Sequence, residues 1–159
     1  MKNKSILEHE FISLIKQYER VIYNVCTFYM SETSTIEDLY QEIVLNLWKA
    51  FPNFRNESQM STWLYRIALN TCISDLRRNA KFRQNVQLSF SEQIIFEQDT
   101  KSIEIQELYS LIYKLNKIER SIILLWLNEK SYQEIADITG FSVANVATRL
   151  KRLKTIYYI

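Results

Sequence analysis

The sequence predicts an all-α protein: two small helical bundles joined by a flexible linker, the second ending in a helix-turn-helix. Three observations lead there. The 159 residues contain one glycine and one proline, far too few breakers for a turn-rich β fold. Apolar residues recur at helical spacing through most of the chain. The single glycine, Gly140, sits between two short helical patterns, where a tight turn is needed.

A first helix is expected from about Ser5 to Met30, its stripe formed by Phe11, Leu14, Ile15, Tyr18, Ile22, Val25, Cys26 and Tyr29. Polar Ser31–Thr35 reads as a turn, with Ser34 or Thr35 as the next N-cap. The second helix, Ile36 to Ala50, carries the regular face Ile36, Leu39, Tyr40, Ile43, Val44, Leu47 and Trp48, and Pro52 stops it. After a loop at 52–58, a third helix from about Gln59 to Arg78 buries Met60, Trp63, Leu64, Ile67, Ala68 and Cys72. The period fails from Asn79. Residues 1–80 are therefore taken as one domain, 81–101 as the linker and 102–159 as the second domain. In that domain helices are expected at about Ser102–Leu115 and Lys117–Asn128. Trp126, Tyr109, Tyr113 and Leu124 are expected to fill much of its core.

The helix-turn-helix spans 131–152, SYQEIADITGFSVANVATRLKR. Ala136 is small where one helix crosses the other, and Gly140 can take positive φ to end the first helix. Ser142 can cap the second by accepting a backbone N–H, and Val146 then falls on the inner face. The second helix presents Asn145, Thr148, Arg149, Lys151 and Arg152 on or beside its outer surface. A basic helix held in this way is suited to a DNA major groove. An ordinary helical hairpin with a solvated charged face is the simpler alternative, and the coincidence of cap, glycine, small residue and basic helix disfavours it.

Net charge is only +2, but it is unevenly placed. Residues 31–48 carry Glu32, Glu37, Asp38 and Glu42 with no base, whereas 140–159 carry Arg149, Lys151, Arg152 and Lys154 with no acid. Separate surfaces for nucleic acid and for a protein partner follow. No apolar run is long enough for a membrane span, and Glu8, His9 and Glu10 interrupt any leader core, so a cytoplasmic protein is expected. Cys26 and Cys72 lie inside apolar helical patterns without a CxxC or a histidine partner, and read as reduced buried thiols. With one histidine, no glycine-rich phosphate loop and no ligand cluster, neither metal nor cofactor nor enzymatic activity is expected.

The segment Glu37–Arg78 resembles region two of bacterial RNA polymerase sigma factors, most closely the extracytoplasmic-function group. The resemblance rests on Asp38-Leu39-Tyr40-Gln41-Glu42-Ile43 and on Thr62-Trp63-Leu64-Tyr65-Arg66-Ile67-Ala68 followed by Asn70. Leu115–Lys154 resembles region four, and the two matches stand in the family's order and spacing. Within that pattern Asn116 replaces a usual proline. Ala144-Asn145-Val146-Ala147-Thr148-Arg149 replaces a common Gly-Thr-Val-Lys-Ser-Arg run, which removes one lysine at Ala147.

The resemblance implies a promoter-specificity subunit working with bacterial core RNA polymerase and promoter DNA, with an anti-sigma factor as a further partner. On the second helix, Asp38, Gln41, Glu42 and Leu45 form a ridge opposite the core, which the resemblance assigns to polymerase docking. Phe54, Arg55, Asn56, Trp63, Tyr65, Arg66, Asn70, Arg77 and Arg78 combine aromatics for stacking on unpaired bases with cations for the backbone. The resemblance directs these to the single-stranded minus-ten element. Ser142, Asn145, Thr148, Arg149, Lys151 and Arg152 would meet the minus-thirty-five duplex, Asn145 at a base edge, Arg149 at guanine or a phosphate, and Lys151 and Arg152, with Lys154, at phosphates. A stand-alone helix-turn-helix regulator is the runner-up. It would bind duplex DNA tightly by itself, whereas a sigma factor with Ala147 in place of lysine should bind weakly without polymerase.

Overall fold

The computed structural model describes residues 3–83 and 103–157, with the side chains of 79–83, 105, 156 and 157 left aside. Among the described residues there are eight α-helices and no strand. They form two compact units, one built from α1 to α3 and from α4 as far as Asp75, the other from the rest of α4 and from α5 to α8, with Ser31–Thr33. The all-α expectation holds.

In the first unit, α1 (Lys4–Gln17) opens on Asn3, whose side chain accepts from the Ser5 N–H, and α2 (Glu19–Tyr29) follows. The expected single helix is thus two. Tyr18 departs from helical geometry at φ −105° and ψ 16°, although its N–H still reaches Leu14 O and its carbonyl still accepts from Ile22. α3 (Ile36–Ala50) begins where Thr35 Oγ1 accepts from the Asp38 N–H at 3.2 Å. Glu37 and Asp38 in its first turn suit the positive end of the helix dipole. A 3₁₀ turn, Phe51–Asn53, takes over at Pro52, and α4 (Met60–Arg83) completes the unit. The helix therefore continues past Arg78 into the first residues assigned to the linker, and the rest of that linker lies outside the described residues.

The core of this unit is shared by the helices at spacings of three and four: Ile22, Cys26 and Tyr29 from α2, Leu39, Ile43 and Leu47 from α3, and Leu64, Ala68 and Cys72 from α4. Asn46 donates to Thr71 Oγ1 at 2.9 Å, and Thr71 donates on to Ile67 O at 2.7 Å, so α3 and α4 are pinned by a satisfied polar contact as well. At the margin a chain of rings runs Trp48–Phe11–Phe51–Trp63–Phe54, with centroids 5.0 to 6.3 Å apart.

The second unit packs α5 (Ile103–Lys114), α6 (Lys117–Leu127), α7 (Tyr132–Thr139) and α8 (Val143–Tyr157). Asn116, the residue in the proline position, caps α6 by accepting from the N–H groups of Ile118 and Glu119. α7 starts in a capping box, with Ser131 and Glu134 each bonding the other's backbone. Gly140 ends α7 in the left-handed region at φ 84° and returns its N–H to Ala136 O at 2.8 Å. The core is aliphatic: Ile112, Ile122 to Leu125, Ile135, Val146, Leu150 and Leu153. Leu124 is fully buried as expected. Tyr109, Tyr113 and Trp126 are only half-buried at the edge, where Tyr109 stacks on Tyr113, Arg120 lies over Tyr113 and Lys154 over Trp126. Arg120 is buried between α5 and α6, donating to Leu115 O at 3.1 Å and lying over the Tyr113 ring.

Candidate nucleic-acid interface

The loop between the 3₁₀ turn and α4 owes its shape to Asn56, which takes φ 57°, a conformation that asparagine tolerates better than most residues. Under the loop lies a cleft of about 570 Å³ lined by Asn53, Phe54, Arg55, Glu57, Ser58, Trp63 and Arg66. Phe54 and Trp63 face each other tilted by 43°, with centroids 5.0 Å apart, and form its aromatic wall. Arg55 and Arg66 are exposed at its rim. Two rings and two guanidinium groups around an open cleft can stack a planar base and neutralise the phosphate beside it. Asn53, Glu57 and Ser58 also line the cleft, and nothing in their spacing singled them out.

Along α4, Arg66, Asn70 and Arg77 recur at i, i+4 and i+11 and are exposed, with Arg78 exposed next to them. Tyr65 corrects the expectation. It is 3% exposed and belongs to the core, so its ring is not presented for stacking. The helix is covered on two sides, and its buried face is wide enough to take Leu64 and Tyr65 together with Ala68 and Leu69. Trp63 divides its surface between core and cleft.

On α3, Asp38, Gln41, Leu45 and Lys49 are exposed at spacings of three and four, which sets them in one row, and Glu42 flanks it half-buried. Leu45 is 50% exposed in the middle of this row. An apolar side chain ringed by polar ones is the usual make-up of a contact patch.

In the second unit, Ser142 Oγ accepts from the Asn145 N–H at 3.1 Å and so caps α8. Asn145 Oδ1 accepts from Arg149 Nε at 3.0 Å, and the Arg149 guanidinium lies 4.7 Å from the Phe141 ring centroid. Asn145 and Arg149 are both half-buried, so the expectation that each reaches out independently changes to a coupled pair. Thr148, Lys151 and Arg152 are exposed. Arg152 forms an ion pair with Glu119 of α6, and Lys154 Nζ sits 4.5 Å from the Trp126 ring centroid. Val143 is 39% exposed at the start of the helix.

Cys26 and Cys72 are buried and form no disulfide, and burial pushes the Cys26 thiol up to about 12, which keeps it neutral. Hydrogen bonds from Ser131 hold the Glu134 carboxyl below its ordinary value. Among the described residues, no cluster of three or more histidine, cysteine or acidic side chains could hold a metal. No described helix is long and apolar enough to cross a membrane.

Two family models match this chain in sequence: Sigma-70 region 2 over residues 14–82 and Sigma-70 region 4 over residues 105–155. The chain is 30% identical to the RNA polymerase sigma factor YlaC of Bacillus subtilis, over 97% of this chain and 91% of that one. It is 28% identical to the ECF RNA polymerase sigma factor SigW of the same organism, over 89% and 83%. Two solved structures share the fold. They are the sigma factor RpoE in complex with the anti-sigma factor NepR from Bartonella quintana (TM-score 0.71, 18% identity, 92% of both chains) and CnrH in complex with the cytosolic domain of CnrY (TM-score 0.65, 23% identity, 93% and 84%). A helical pair of units that ends in a basic helix-turn-helix therefore has a definite class. The chain belongs to the RNA polymerase sigma factors, in their extracytoplasmic-function group.

Proposed function

We propose that this chain joins bacterial core RNA polymerase in the cytoplasm, places it on a promoter subset and helps to open the start site. What supports this most is one combination within a single chain: an aromatic and basic cleft in the region-two segment, and a capped basic helix in the region-four segment.

The α3 row of Asp38, Gln41, Glu42 and Leu45 docks on the clamp helices of the polymerase's largest subunit. The cleft of Phe54, Arg55, Trp63 and Arg66, with Asn56 shaping the loop beside it, takes a base flipped out of the minus-ten element. Asn70, Arg77 and Arg78 track the separated strand. α8 enters the major groove of the minus-thirty-five element, with Ser142, Asn145, Thr148 and Arg149 toward the bases and Lys151 and Arg152 at phosphates. All of this is binding. Unpairing is driven by contacts to the open form, and the chain performs no covalent chemistry. RpoE is solved in complex with the anti-sigma factor NepR, and CnrH with the cytosolic domain of CnrY; an anti-sigma factor is the corresponding partner proposed here.

Mixing the purified chain with core polymerase tests the proposal. A stable complex should form on size exclusion. Gel shifts at fixed salt should show promoter binding by the complex and little by the chain alone. Tight binding of duplex DNA by the free chain, with no retention by polymerase, would favour the stand-alone regulator.

A further inference from the structure

One strip on the first two turns of α8 offers methyl groups where a base reader usually offers polar ones. Val143 is 39% exposed, Ala144 and Thr148 are exposed and Ala147 is half-buried. At i, i+1, i+4 and i+5 these four make one strip. The polar groups beside the strip are engaged within their own unit. Ser142 Oγ accepts the capping N–H, and Asn145 Oδ1 holds Arg149 Nε. The Thr148 hydroxyl donates to Ala144 O at 2.9 Å, which leaves the γ-methyl as the other group that this exposed side chain offers.

The surroundings identify what the strip faces. Lys151 follows it exposed along the helix, with Arg152 paired to Glu119 and Lys154 over the Trp126 ring, and residues 140–159 themselves contain no acid, so the surface suits a polyanion better than a basic protein. A helix docked by its N-terminal turns brings these residues to the base edges. The apolar group that a major groove presents there is the thymine C5-methyl. We infer that Val143, Ala144, Ala147 and Thr148 read thymine methyl groups, and that the upstream element selected by this chain carries thymines on the strand they face. The inference rests on the initiation-factor reading above and adds its base preference.

The test uses the full chain with core polymerase and a promoter library randomised across the upstream duplex element, transcribed in single rounds. Winning templates are then remade with deoxyuridine for thymine at each position of that element. Uracil keeps the pairing and the O4 acceptor and loses only the methyl. Thymine should be enriched at two or more positions, and each contacted methyl removed should cost about fourfold in initiation, the size expected for one buried methyl. Val143→Ala should flatten the thymine preference at one of those positions and leave the uracil template there unchanged. Its side chain is exposed, and an unaltered melting curve will confirm that the fold is intact. Equal initiation from thymine and uracil templates overturns the inference while sparing the initiation-factor reading. No initiation from any template overturns both.

Discussion

Gly140 is the residue on which the helix-turn-helix turns. Its φ of 84° is left-handed, yet a Cβ built there would meet nothing within 4 Å. The cost of Gly140→Ala is therefore conformational, about 1–2 kcal/mol, and should appear as a lower melting temperature with no loss of helix content. Arg149 shows what a sequence withholds at this scale. Its outward position was legible, but its commitment to Asn145 and Phe141 required three side chains to be seen together. Tyr65 shows the same limit, because a periodic stripe does not reveal how wide a buried face will be. Lys151 is exposed, and Lys151→Ala should weaken promoter binding across all sequences and lower the salt slope by about 1. Measuring affinity at several salt concentrations checks this.

At the scale of elements, legibility followed the punctuation. α3 was read to the residue because Thr35 caps it and Pro52 ends its run. The break between α1 and α2 was missed because Tyr18 is no helix breaker and both of its backbone hydrogen bonds survive. The Ser131–Glu134 box at the start of α7 carries a pH signature. Glu134 titrates lower folded than unfolded, so its contribution is present above the ordinary carboxylate range and is lost as pH falls through the folded value. Ser131→Ala should cost about 1 kcal/mol at neutral pH and blunt part of the acid destabilisation, as read from melting curves between neutral and acid pH. The α3 row gives a separate prediction. Leu45→Asp leaves the core untouched, since Leu45 is half exposed, and should weaken association with core polymerase about tenfold, the scale of a central contact residue. An unchanged affinity in a pull-down titration would remove α3 from the docking surface.

For the whole molecule, the two helical units were legible because each has its own apolar stripes and its own N-caps. The composition of their cores was less so. The second unit closes on aliphatics from α5 to α8 while its aromatics stay at the edge, beside Arg120 and Lys154. That leaves the outer face of α8 for recognition, just as the ring chain of the first unit leaves Phe54 and Trp63 for the cleft. The function proposed above needs a surface from each unit. The most direct measurement is single-round run-off transcription by core polymerase, with and without this chain, on a promoter selected from a random library. The account predicts specific transcripts only when the chain is present, lost both in Phe54→Ala and in Lys151→Ala/Arg152→Ala. Transcription indifferent to the chain, or unaffected when either surface is altered, would contradict it.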